Sequence, residues 1–459
     1  MKIVDLSPVL FREYDLRGIV GDIIDEDVAY TLGLGYGSYV LDKGIHMVVV
    51  GHDNRVSSPS LSKALIRGIL ETGCNVVDLG LVTTPMFYYA RFSLKLYAGV
   101  MITASHNPKE YNGFKISFDE IGNAYGEHIQ EFYRFCCKKE FKHGEGCVTD
   151  FDIKESYVQY FTNSIDLKNK NIKVVVDCGN GTGSVVIEDI LKSLGIEYYL
   201  LYCESDGNFP NHSADPSVED NMKDLKSKVI ELGYDLGIGI DGDADRVAIV
   251  SEKGQYLQAD LYLLFMARYL KDNLVENKVL FDVKCSRALT DGLKEAGING
   301  VMYRTGNSYL NKKMQEENFS LGGEYSGHIF YKDKFPGFDD GIYAGMRFVE
   351  MIVNSGVKVS ELLKSVKKYY SVFGEINAGE NGKRIIVEKV KEYAHSKQYD
   401  TVELDGVRIE FDHGWGLIRY SNTGPNLVVR YESNTQEGLN SIEEELSSVV
   451  NGWLAQVKG

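Results

Sequence analysis

Three aspartates occupy alternate positions in one short segment of this chain. Asp241, Asp243 and Asp245 stand between two apolar runs that are predicted to be buried strands, within residues 236–250. Carboxylate oxygens are the ligands that Mg²⁺ prefers, and three of them leave coordination positions for another oxygen, such as that of a phosphate. The spacing therefore predicts a magnesium site. Arg246 follows directly, and its guanidinium can bind phosphate oxygens in a bidentate manner.

The same segment has some features of a calcium-binding EF-hand loop. Glu252 stands where the final calcium ligand of such a loop would be, but Arg246 occupies the position that requires glycine. Predicted strands also flank the segment where an EF-hand has helices. An EF-hand is therefore excluded. A solvated acidic turn remains the alternative, although carboxylates so close together repel one another strongly when no cation is present.

A serine follows another predicted strand. The mostly apolar residues 97–102 lead into TASHNP at residues 103–108, which places Ser105 at the carboxyl end of the strand. Open α/β sheets bind their ligands at this end, and the Asn-Pro pair disfavours a helix. Alone, this segment is more typical of a structural turn, and a hydrolase triad is disfavoured because no G-x-S-x-G elbow surrounds the serine. The aspartate segment is what favours a catalytic serine.

Two polar segments in the second half of the chain are suited to a phosphorylated sugar. Residues 321–328 end in Glu324, Ser326 and His328, whose carboxylate and hydroxyl can hold vicinal sugar hydroxyls and whose imidazole can hold or move a proton. Residues 419–425 offer hydroxyls, loop amides and an arginine to an anion, with Arg430 as a second candidate. An ordinary surface turn is the alternative for each segment.

Four loops along the chain jointly resemble the active-site loops of the α-D-phosphohexomutase superfamily: TASHNP at 103–108, DGDADR at 241–246, GEYSGH at 323–328 and RYSNTGP at 419–425. Three further segments resemble its bacterial phosphomannomutase/phosphoglucomutase branch: FREYDLRG at 11–18, DVKCSR at 282–287 and GFDDGIY at 337–343. The resemblance covers essentially the whole chain.

This resemblance implies a role for each matching residue. Ser105 is the phosphoserine and a ligand of Mg²⁺, together with Asp241, Asp243 and Asp245. The implied catalytic residues are Ser105, Lys115, Arg246 and His328. The implied substrate-binding residues are Tyr14, Arg17, His106, Lys284, Thr305, Gly306, Asn307, Glu324, Ser326, His328, Arg419, Ser421, Asn422 and Thr423.

One position departs from the family pattern. Members often have T-G-H-S where this chain has Thr305-Gly306-Asn307-Ser308. The amide of Asn307 can donate a hydrogen bond to a substrate, but it cannot carry a proton. Lys115 and His328 are therefore the candidates for the general base.

The alternation of apolar and amphipathic segments predicts an α/β fold. Strand–helix–strand patterns of similar size recur at residues 46–79, 172–202 and 278–303, and short strands joined by tight turns follow from about residue 370. Together with the resemblance, this predicts three similar α/β domains with mixed sheets and a C-terminal α+β domain around a central cleft. The predicted domains are residues 1–150 with the phosphoserine loop, 151–252 with the metal loop, 253–367 with the sugar-binding loop and 368–459 with the phosphate-binding loop.

The overall charge narrows the choice of partners. The chain of 459 residues has a formal net charge of −16, which opposes nucleic acid and anionic membranes. Because it also opposes a sugar phosphate, cationic side chains and loop amides must reverse the field locally. No apolar run is long enough to cross a bilayer, and the N-terminus does not have the pattern of a signal peptide. The seven cysteines show no metal-type C-x-x-C pair, which favours reduced thiols and a cytoplasmic protein. A monomer or a dimer is expected.

The predicted function is a phosphohexomutase that interconverts hexose 1-phosphate and hexose 6-phosphate, with mannose, glucose or both. The resemblance implies a phosphoserine enzyme and a hexose 1,6-bisphosphate that serves as intermediate and activator. Phosphoglucosamine mutase is the nearest alternative, but such enzymes usually have an SGTEP-like last loop where this chain has SNT at 421–423. A metal-dependent sugar phosphatase that uses Ser105 is a further alternative. A non-enzymatic sugar-phosphate sensor is disfavoured because Ser105 and the three aspartates are all present.

Overall fold

Four β-sheets follow one another along the described part of the chain, and each is built from one consecutive stretch of sequence. The computed structural model describes residues 1–118, 122–421 and 424–458.

The first sheet is mixed and has the strand order β1-β5-β4-β2-β3-β6. Its strands are β1 (Leu16–Ile19), β2 (Met47–His52), β3 (Asn75–Leu81), β4 (Gly99–Ile102), β5 (Tyr111–Ser117) and β6 (Val148–Asp150). Its helices are α1 (Glu26–Asp42), α2 (Ser58–Leu70), α3 (Thr84–Leu94) and α4 (Glu127–Cys137). The valines of β2 are fully buried, as expected for a parallel strand covered on both faces. β5 runs antiparallel to both of its neighbours.

The second sheet has the order β11-β10-β9-β7-β8. Its strands are β7 (Lys173–Asp177), β8 (Glu197–Leu201), β9 (Leu236–Ile240), β10 (Val247–Ser251) and β11 (Tyr256–Leu257). Its helices are α5 (Lys154–Ser164), α6 (Ile187–Leu194) and α7 (Lys223–Leu232). The short strand β11 pairs with β10, so this sheet extends past residue 252, where the sequence predicts a domain boundary.

The third sheet has the order β13-β12-β14-β15, and its last pair is antiparallel. Its strands are β12 (Lys278–Asp282), β13 (Asn299–Tyr303), β14 (Leu321–Gly323) and β15 (Ile329–Tyr331). Its helices are α8 (Ala259–Tyr269), α9 (Arg287–Glu295), α10 (Asn307–Glu316), α11 (Gly341–Ser355) and α12 (Val359–Lys364).

The fourth sheet is antiparallel throughout, with the order β16-β20-β19-β18-β17. Its strands are β16 (Tyr370–Asn377), β17 (Asp400–Val402), β18 (Val407–Phe411), β19 (Gly414–Tyr420) and β20 (Asn426–Ser433). The helices α13 (Glu380–Ser396) and α14 (Gln436–Lys458) pack on it and enclose a separate core. Three mixed sheets with helices, followed by this unit, confirm the predicted fold class.

Each predicted functional loop occupies the same kind of position in its sheet. The serine loop joins β4 to β5, the aspartate loop joins β9 to β10, the sugar loop joins β14 to β15, and the phosphate loop joins β19 to β20. All four are therefore connections between adjacent antiparallel strands. Because such a connection is short and both of its ends are hydrogen-bonded, each loop is held rigidly at the edge of its sheet.

The first three units share one apolar core, whereas the fourth packs on the third through a small apolar cluster, Val283 with Trp415 and Leu417, and through buried arginines. Phe87, Val176 and Phe281 belong to the same cluster of buried side chains. In the fourth unit, Arg408 Nη1 donates to the carbonyls of Val283 and Cys285, each at 2.8 Å.

Arg430 in the fourth unit corrects an expectation from the sequence. It is fully buried, its Nη1 donates to the Lys284 carbonyl at 2.5 Å, and its guanidinium stacks on the Tyr325 ring at 3.7 Å. Arg430 is therefore not available to a phosphate, because its donors hold the interface between the third and fourth units.

The structure differs from the expectation of reduced thiols for one pair of cysteines, while the other five are free. Cys178 and Cys203 form a disulfide, with their Cα atoms 5.0 Å apart. They come together because β7 and β8 are parallel neighbours in register, Asp177 opposite Leu201. A separation of 25 residues in the sequence gave no sign of this pairing.

The N-cap of α11 is a buried carboxyl group. Asp340 is 1% exposed, its Oδ1 accepts from the backbone N–H of Tyr343 at 2.8 Å, and its Oδ2 accepts from the Tyr157 hydroxyl at 2.6 Å. Burial raises the pKa of Asp340 to about 7 from the ordinary 3.8, an effect that the Tyr157 hydrogen bond only partly offsets.

We expect the stability of Asp340→Asn relative to the wild type to increase progressively as pH rises from about 5 to 7. The raised folded-state pKa means that the native protein holds a proton that the unfolded chain releases above pH 3.8. Wild-type stability therefore falls by ~1.4 kcal/mol per pH unit until the folded-state pKa is passed, while the amide of the variant does not titrate. The check is the difference in thermal midpoint between the two proteins at each pH, which should level off above about pH 7.

Ser286→Ala is the matched control, because Ser286 caps α9 through an uncharged hydroxyl that accepts from Ala288 N at 2.9 Å. The stability that Ser286→Ala loses should be the same at every pH in this range, because a serine hydroxyl does not titrate there. A constant difference between Asp340→Asn and the wild type from pH 5 to 8 would show that the Asp340 carboxyl is ionised throughout.

Candidate active site

One cleft brings together loops from all four sheets and encloses about 230 Å³. Five cationic side chains line it, Arg17, Lys115, Arg246, Lys284 and Arg419, which supplies the local reversal of the chain's negative field. The predicted site residues on its wall are Tyr14, Arg17, Ser105, His106, Lys115, Arg246, Lys284, Thr305, Gly306, Asn307, Glu324, Ser326, His328, Arg419 and Ser421. Asn422 and Thr423 lie outside the described residues.

Ser105 is held in an uncommon backbone conformation. Its φ is +51°, in the left-handed region that few residues other than glycine adopt. Its backbone N–H donates to Thr103 Oγ1 at 2.9 Å, and its own Oγ donates to Asp241 Oδ2 at 3.0 Å. His106 Nδ1 lies 3.1 Å from the same Oγ. The loop therefore directs the serine hydroxyl at the aspartate loop of the second sheet.

The three aspartates form a compact buried group. Oxygens of Asp241, Asp243 and Asp245 lie within 4.8 Å of one another, and none of the three side chains is exposed. Oδ1 of Asp243 and Oδ1 of Asp245 are buried and have no hydrogen-bond partner within the described part of the chain. Burial, and then the charges of Asp245 and Asp243, raise the pKa of Asp241 well above its usual value. Unsatisfied oxygens in this arrangement fit a hard divalent cation such as Mg²⁺.

Lys115 supplies positive charge to this group. Its Nζ donates to Asp243 Oδ2 at 2.8 Å and to Asp245 Oδ2 at 2.6 Å. Burial alone would lower the pKa of Lys115, but the two carboxylates outweigh that effect, and its pKa lies well above the usual value. Lys115 is therefore an ammonium ion in this arrangement and has no lone pair to accept a proton.

A chain of polar contacts connects the aspartate loop to the sugar loop. Arg246 Nε donates to His328 Nε2 at 3.0 Å, and His328 Nδ1 lies 2.8 Å from Asp339 Oδ2. The Asn307 amide donates to the same Asp339 oxygen at 3.1 Å. Because Nε2 accepts a hydrogen bond while Nδ1 faces a carboxylate, these contacts place a proton on Nδ1. Burial alone would lower the pKa of His328, but the charges of Asp245 and Asp339 outweigh it and raise that pKa above the usual value.

The sugar loop is fixed by groups around it. Oε1 of Glu324 accepts from the backbone N–H of Gly306 at 2.6 Å, and the Ser326 hydroxyl lies 3.4 Å from the other Glu324 oxygen. Asp282 accepts from the Thr305 hydroxyl at 3.0 Å, and its Oδ2 lies 3.3 Å from Lys284 Nζ. A carboxylate, a hydroxyl and an ammonium group thus meet at one wall of the cleft.

Buried lysine and arginine side chains hold the phosphate loop of the fourth sheet. Lys383 Nζ donates to the carbonyls of Ser421 and Gly424, each at 2.8 Å. Arg419 Nε donates to Asp405 Oδ2 at 2.8 Å, while its buried Nη2 has no hydrogen-bond partner among the described residues. The guanidinium of Arg419 is therefore anchored on one side and has a free donor on the other.

Comparisons with known proteins agree with this arrangement. Profiles described as phosphoglucomutase/phosphomannomutase α/β/α domains I, II and III and the C-terminal domain match residues 8–143, 155–254, 258–369 and 357–449. A phosphomannomutase/phosphoglucomutase of Pseudomonas aeruginosa is 41% identical over 442 residues, which cover 95% of this chain and 94% of the relative. The chain belongs to the phosphoglucomutase/phosphomannomutase family.

One more curated relative and one solved structure are also similar to this phosphohexomutase. A phosphoglucomutase of Neisseria gonorrhoeae is 37% identical and covers 96% of each chain. A solved structure of a phosphoglucomutase/phosphomannomutase family protein from Burkholderia thailandensis has a TM-score of 0.90 at 34% identity and covers 98% of each chain. This phosphohexomutase is therefore similar to these relatives along its whole length, and no helix in its described residues is both long and apolar enough to cross a membrane.

Sequence reasoning missed three aspartates that support the cleft. Asp339 contacts His328 and Asn307, Asp282 contacts Thr305 and Lys284, and Asp405 contacts Arg419 and the Thr305 backbone. Asp339 and Asp282 do lie in the segments GFDDGIY and DVKCSR, so the signal was present. Asp405 lies in a turn between β17 and β18, and nothing in the sequence around it indicated a role in the site.

We expect Lys115→Met to increase the thermal stabilisation that Mg²⁺ gives the protein. Without Lys115 and without a cation, the three buried carboxylates lack their nearest positive charge. An uncompensated buried charge lowers the free energy of unfolding by roughly 3–5 kcal/mol. A bound cation restores that compensation. The check is the shift in thermal midpoint between excess chelator and saturating Mg²⁺, which should be larger in the variant than in the wild type.

Lys383→Met is the control, since this lysine is equally buried but contacts the phosphate loop. Its midpoint should fall by the same amount in chelator and in Mg²⁺. A shift in Lys115→Met no larger than that of the wild type would contradict a shared role of Lys115 and the cation.

Proposed function

We propose that this enzyme transfers a phosphoryl group between O1 and O6 of a hexose monophosphate and that Ser105 carries the group. The contact of Ser105 Oγ with Asp241 Oδ2 at 3.0 Å, at the floor of a cationic cleft, carries this proposal. A phosphoserine at this position lies beside the aspartates that fit Mg²⁺ and within a wall that includes Arg246. When bound, Mg²⁺ neutralises negative charge on the transferring group.

The second phosphate of the substrate calls for a separate cationic site. Arg419 and Ser421 line the cleft on the side of the fourth sheet, and the free donor of Arg419 suits a phosphate oxygen. We assign them, with Asn422 and Thr423 of the same loop, to the phosphate that is not transferred. A hexose 1,6-bisphosphate must then turn around in the cleft, so that each of its phosphates meets Ser105 in turn.

His328 is our choice for the general base. Lys115 is held as an ammonium ion by Asp243 and Asp245, and the amide of Asn307 cannot take a proton. His328 Nε2 has a lone pair, which Arg246 Nε covers at 3.0 Å. When a substrate phosphate attracts Arg246, that lone pair becomes free to take the proton of the attacking hydroxyl, while Asp339 holds the ring at Nδ1.

Glu324 and Ser326 are assigned to the O3 and O4 hydroxyls of the sugar. Carboxylate and hydroxyl groups can together hold vicinal hydroxyls, and glucose and mannose are identical at these two positions. We therefore propose that discrimination at C2 is weak and that both hexoses are substrates. The role of the bisphosphate as activator, the cytoplasmic location and the monomeric or dimeric state remain predictions from the sequence.

We expect Ser105→Ala to lower kcat for conversion of glucose 1-phosphate to glucose 6-phosphate by about 10³-fold or more, because no phosphoserine can form. The measurement is a coupled assay with catalytic glucose 1,6-bisphosphate, and intact mass should show a phosphate on the wild type only. Ser93→Ala is the matched control, because the exposed Ser93 hydroxyl donates to the Ala90 carbonyl of its own helix and does not line the cleft.

The same assay separates the alternatives. We expect kcat/KM to be comparable for mannose 1-phosphate and glucose 1-phosphate and much lower for glucosamine 1-phosphate. A preference for glucosamine 1-phosphate would favour a phosphoglucosamine mutase. Release of inorganic phosphate without a sugar isomer would favour a phosphatase, and full activity of Ser105→Ala would overturn the phosphoserine mechanism.

We expect His328→Ala to lower kcat by about 10²–10⁴-fold, the usual contribution of general acid–base catalysis. Phosphorylation of Ser105 by glucose 1,6-bisphosphate should slow as well, because the reverse transfer passes through the same transition state. The checks are steady-state kinetics and the rate of phosphoenzyme formation followed by mass. A kcat within a few-fold of the wild type would exclude His328 as the base.

A further inference from the structure

Arg55 lies fully buried beneath the serine loop and lies outside every functional segment identified from the sequence. It is 1% exposed, on the connection between β2 and α2. Its guanidinium donates to four backbone carbonyls of one segment, residues 105–111. These are Ser105 O at 2.9 Å, Asn107 O at 2.7 Å, Pro108 O at 2.8 Å and Tyr111 O at 3.1 Å.

The remaining donor of this guanidinium is also used. Arg55 Nε donates to Asp53 Oδ2 at 3.1 Å, and the backbone N–H of Arg55 donates to Asp53 Oδ1 at 3.0 Å. All five N–H groups of the side chain therefore have an acceptor. Phe209 of the second unit covers the guanidinium, with its ring centre 5.1 Å away. An arginine so fully bonded and enclosed has essentially one position available to it.

The carbonyl of Ser105 is fixed from two sides. Arg55 Nη2 donates to it, and Gly242 of the aspartate loop lies against it, so close that a Cβ on Gly242 would be 2.5 Å from the oxygen. The backbone of Ser105 is also in the left-handed region, at φ +51°. A residue in this conformation needs strong restraint from its surroundings, and Arg55 donates four hydrogen bonds to this loop.

We propose that Arg55 is a positioning residue for phosphoryl transfer, which sets the direction of the Ser105 Oγ by holding the carbonyls of its loop turned away from the cleft. The inference rests on the proposed role of Ser105 as phosphoryl carrier. Four carbonyl dipoles that point at Arg55 cannot point at the phosphate. With the backbone fixed, the phosphoserine faces the sugar hydroxyl in line, and displacements on the order of 1 Å from such a position cost about 10²-fold in rate.

The test compares transfer to sugar with transfer to water. Wild type, Arg55→Lys, Asp53→Asn and Arg347→Lys are phosphorylated with glucose 1,6-bisphosphate carrying labelled phosphate. Each phosphoenzyme is then mixed with glucose 1-phosphate or with buffer, and labelled hexose bisphosphate and inorganic phosphate are measured over time. A lysine has three donors in a different geometry, so it cannot satisfy the four carbonyls. Asp53→Asn leaves Arg55 in place but removes the carboxylate that orients it.

We expect Arg55→Lys to transfer to glucose 1-phosphate about 10²-fold more slowly than the wild type, with KM changed by less than about 3-fold. The ratio of transfer to sugar over transfer to water should fall by at least about 10-fold, and Asp53→Asn should show the same change to a smaller degree. Arg347→Lys should keep the wild-type ratio, because Arg347 is equally buried but contacts Asp333, Glu350 and Tyr343.

This ratio is a property of each phosphorylated molecule, so a smaller folded fraction does not change it. A wild-type ratio in Arg55→Lys and Asp53→Asn would overturn the proposal, even if the yield of active protein fell. If Arg55→Lys does not fold, Asp53→Asn decides the question alone. Failure of the wild-type phosphoenzyme to transfer to glucose 1-phosphate would instead contradict the proposed role of Ser105.

Discussion

Three aspartates buried at the end of one hairpin require positive charge beside them, and much of the cleft follows from this requirement. Asp241, Asp243 and Asp245 are fully buried, and two of their oxygens find no hydrogen-bond partner among the residues that the structure describes. In a medium of low dielectric constant such a group cannot stay ionised alone. Lys115 from the first sheet therefore meets them, Arg246 follows them, and the space between them suits a divalent cation. The charges that make this group stable are also the charges that a phosphate needs.

The second organising feature is the repeated use of one structural position. A hairpin connection is the shortest link between two strands, and each of the four sheets presents its polar loop there. The loops of the first three units are held by a shared apolar core, and the fourth is attached through Arg408 and Arg430. The serine, metal and sugar loops thus have fixed relative positions, while the phosphate loop depends on a smaller interface in which buried arginines lie beside a few apolar side chains.

The residues that line the candidate site were predictable from the sequence because their signal is local. Ser105 and the three aspartates lie in short segments whose composition and strand context restrict the interpretation. The fold class was predictable for the same reason, since strand and helix periodicities repeat along the chain. Supporting residues were not predictable, because their partners are distant in the sequence. Asp405 acts 100 residues away on Thr305, and Arg430 contacts Lys284 from a separation of 146 residues. The Cys178–Cys203 pair likewise depends on strand register, which no cysteine spacing reveals.

The order of the four loops along the chain has a consequence for biosynthesis. Ser105 and the aspartates are made early, whereas Arg419 and Ser421 lie on a hairpin that is completed only near the C-terminus. During translation the serine loop and its acidic neighbours can therefore fold while the wall that binds the second phosphate does not yet exist. The cleft lined by all four loops is therefore complete only after the last hairpin has left the ribosome. A chain that terminates early could bring its first three units around their common core, yet it would lack the wall of the cleft that Arg419 and Ser421 form.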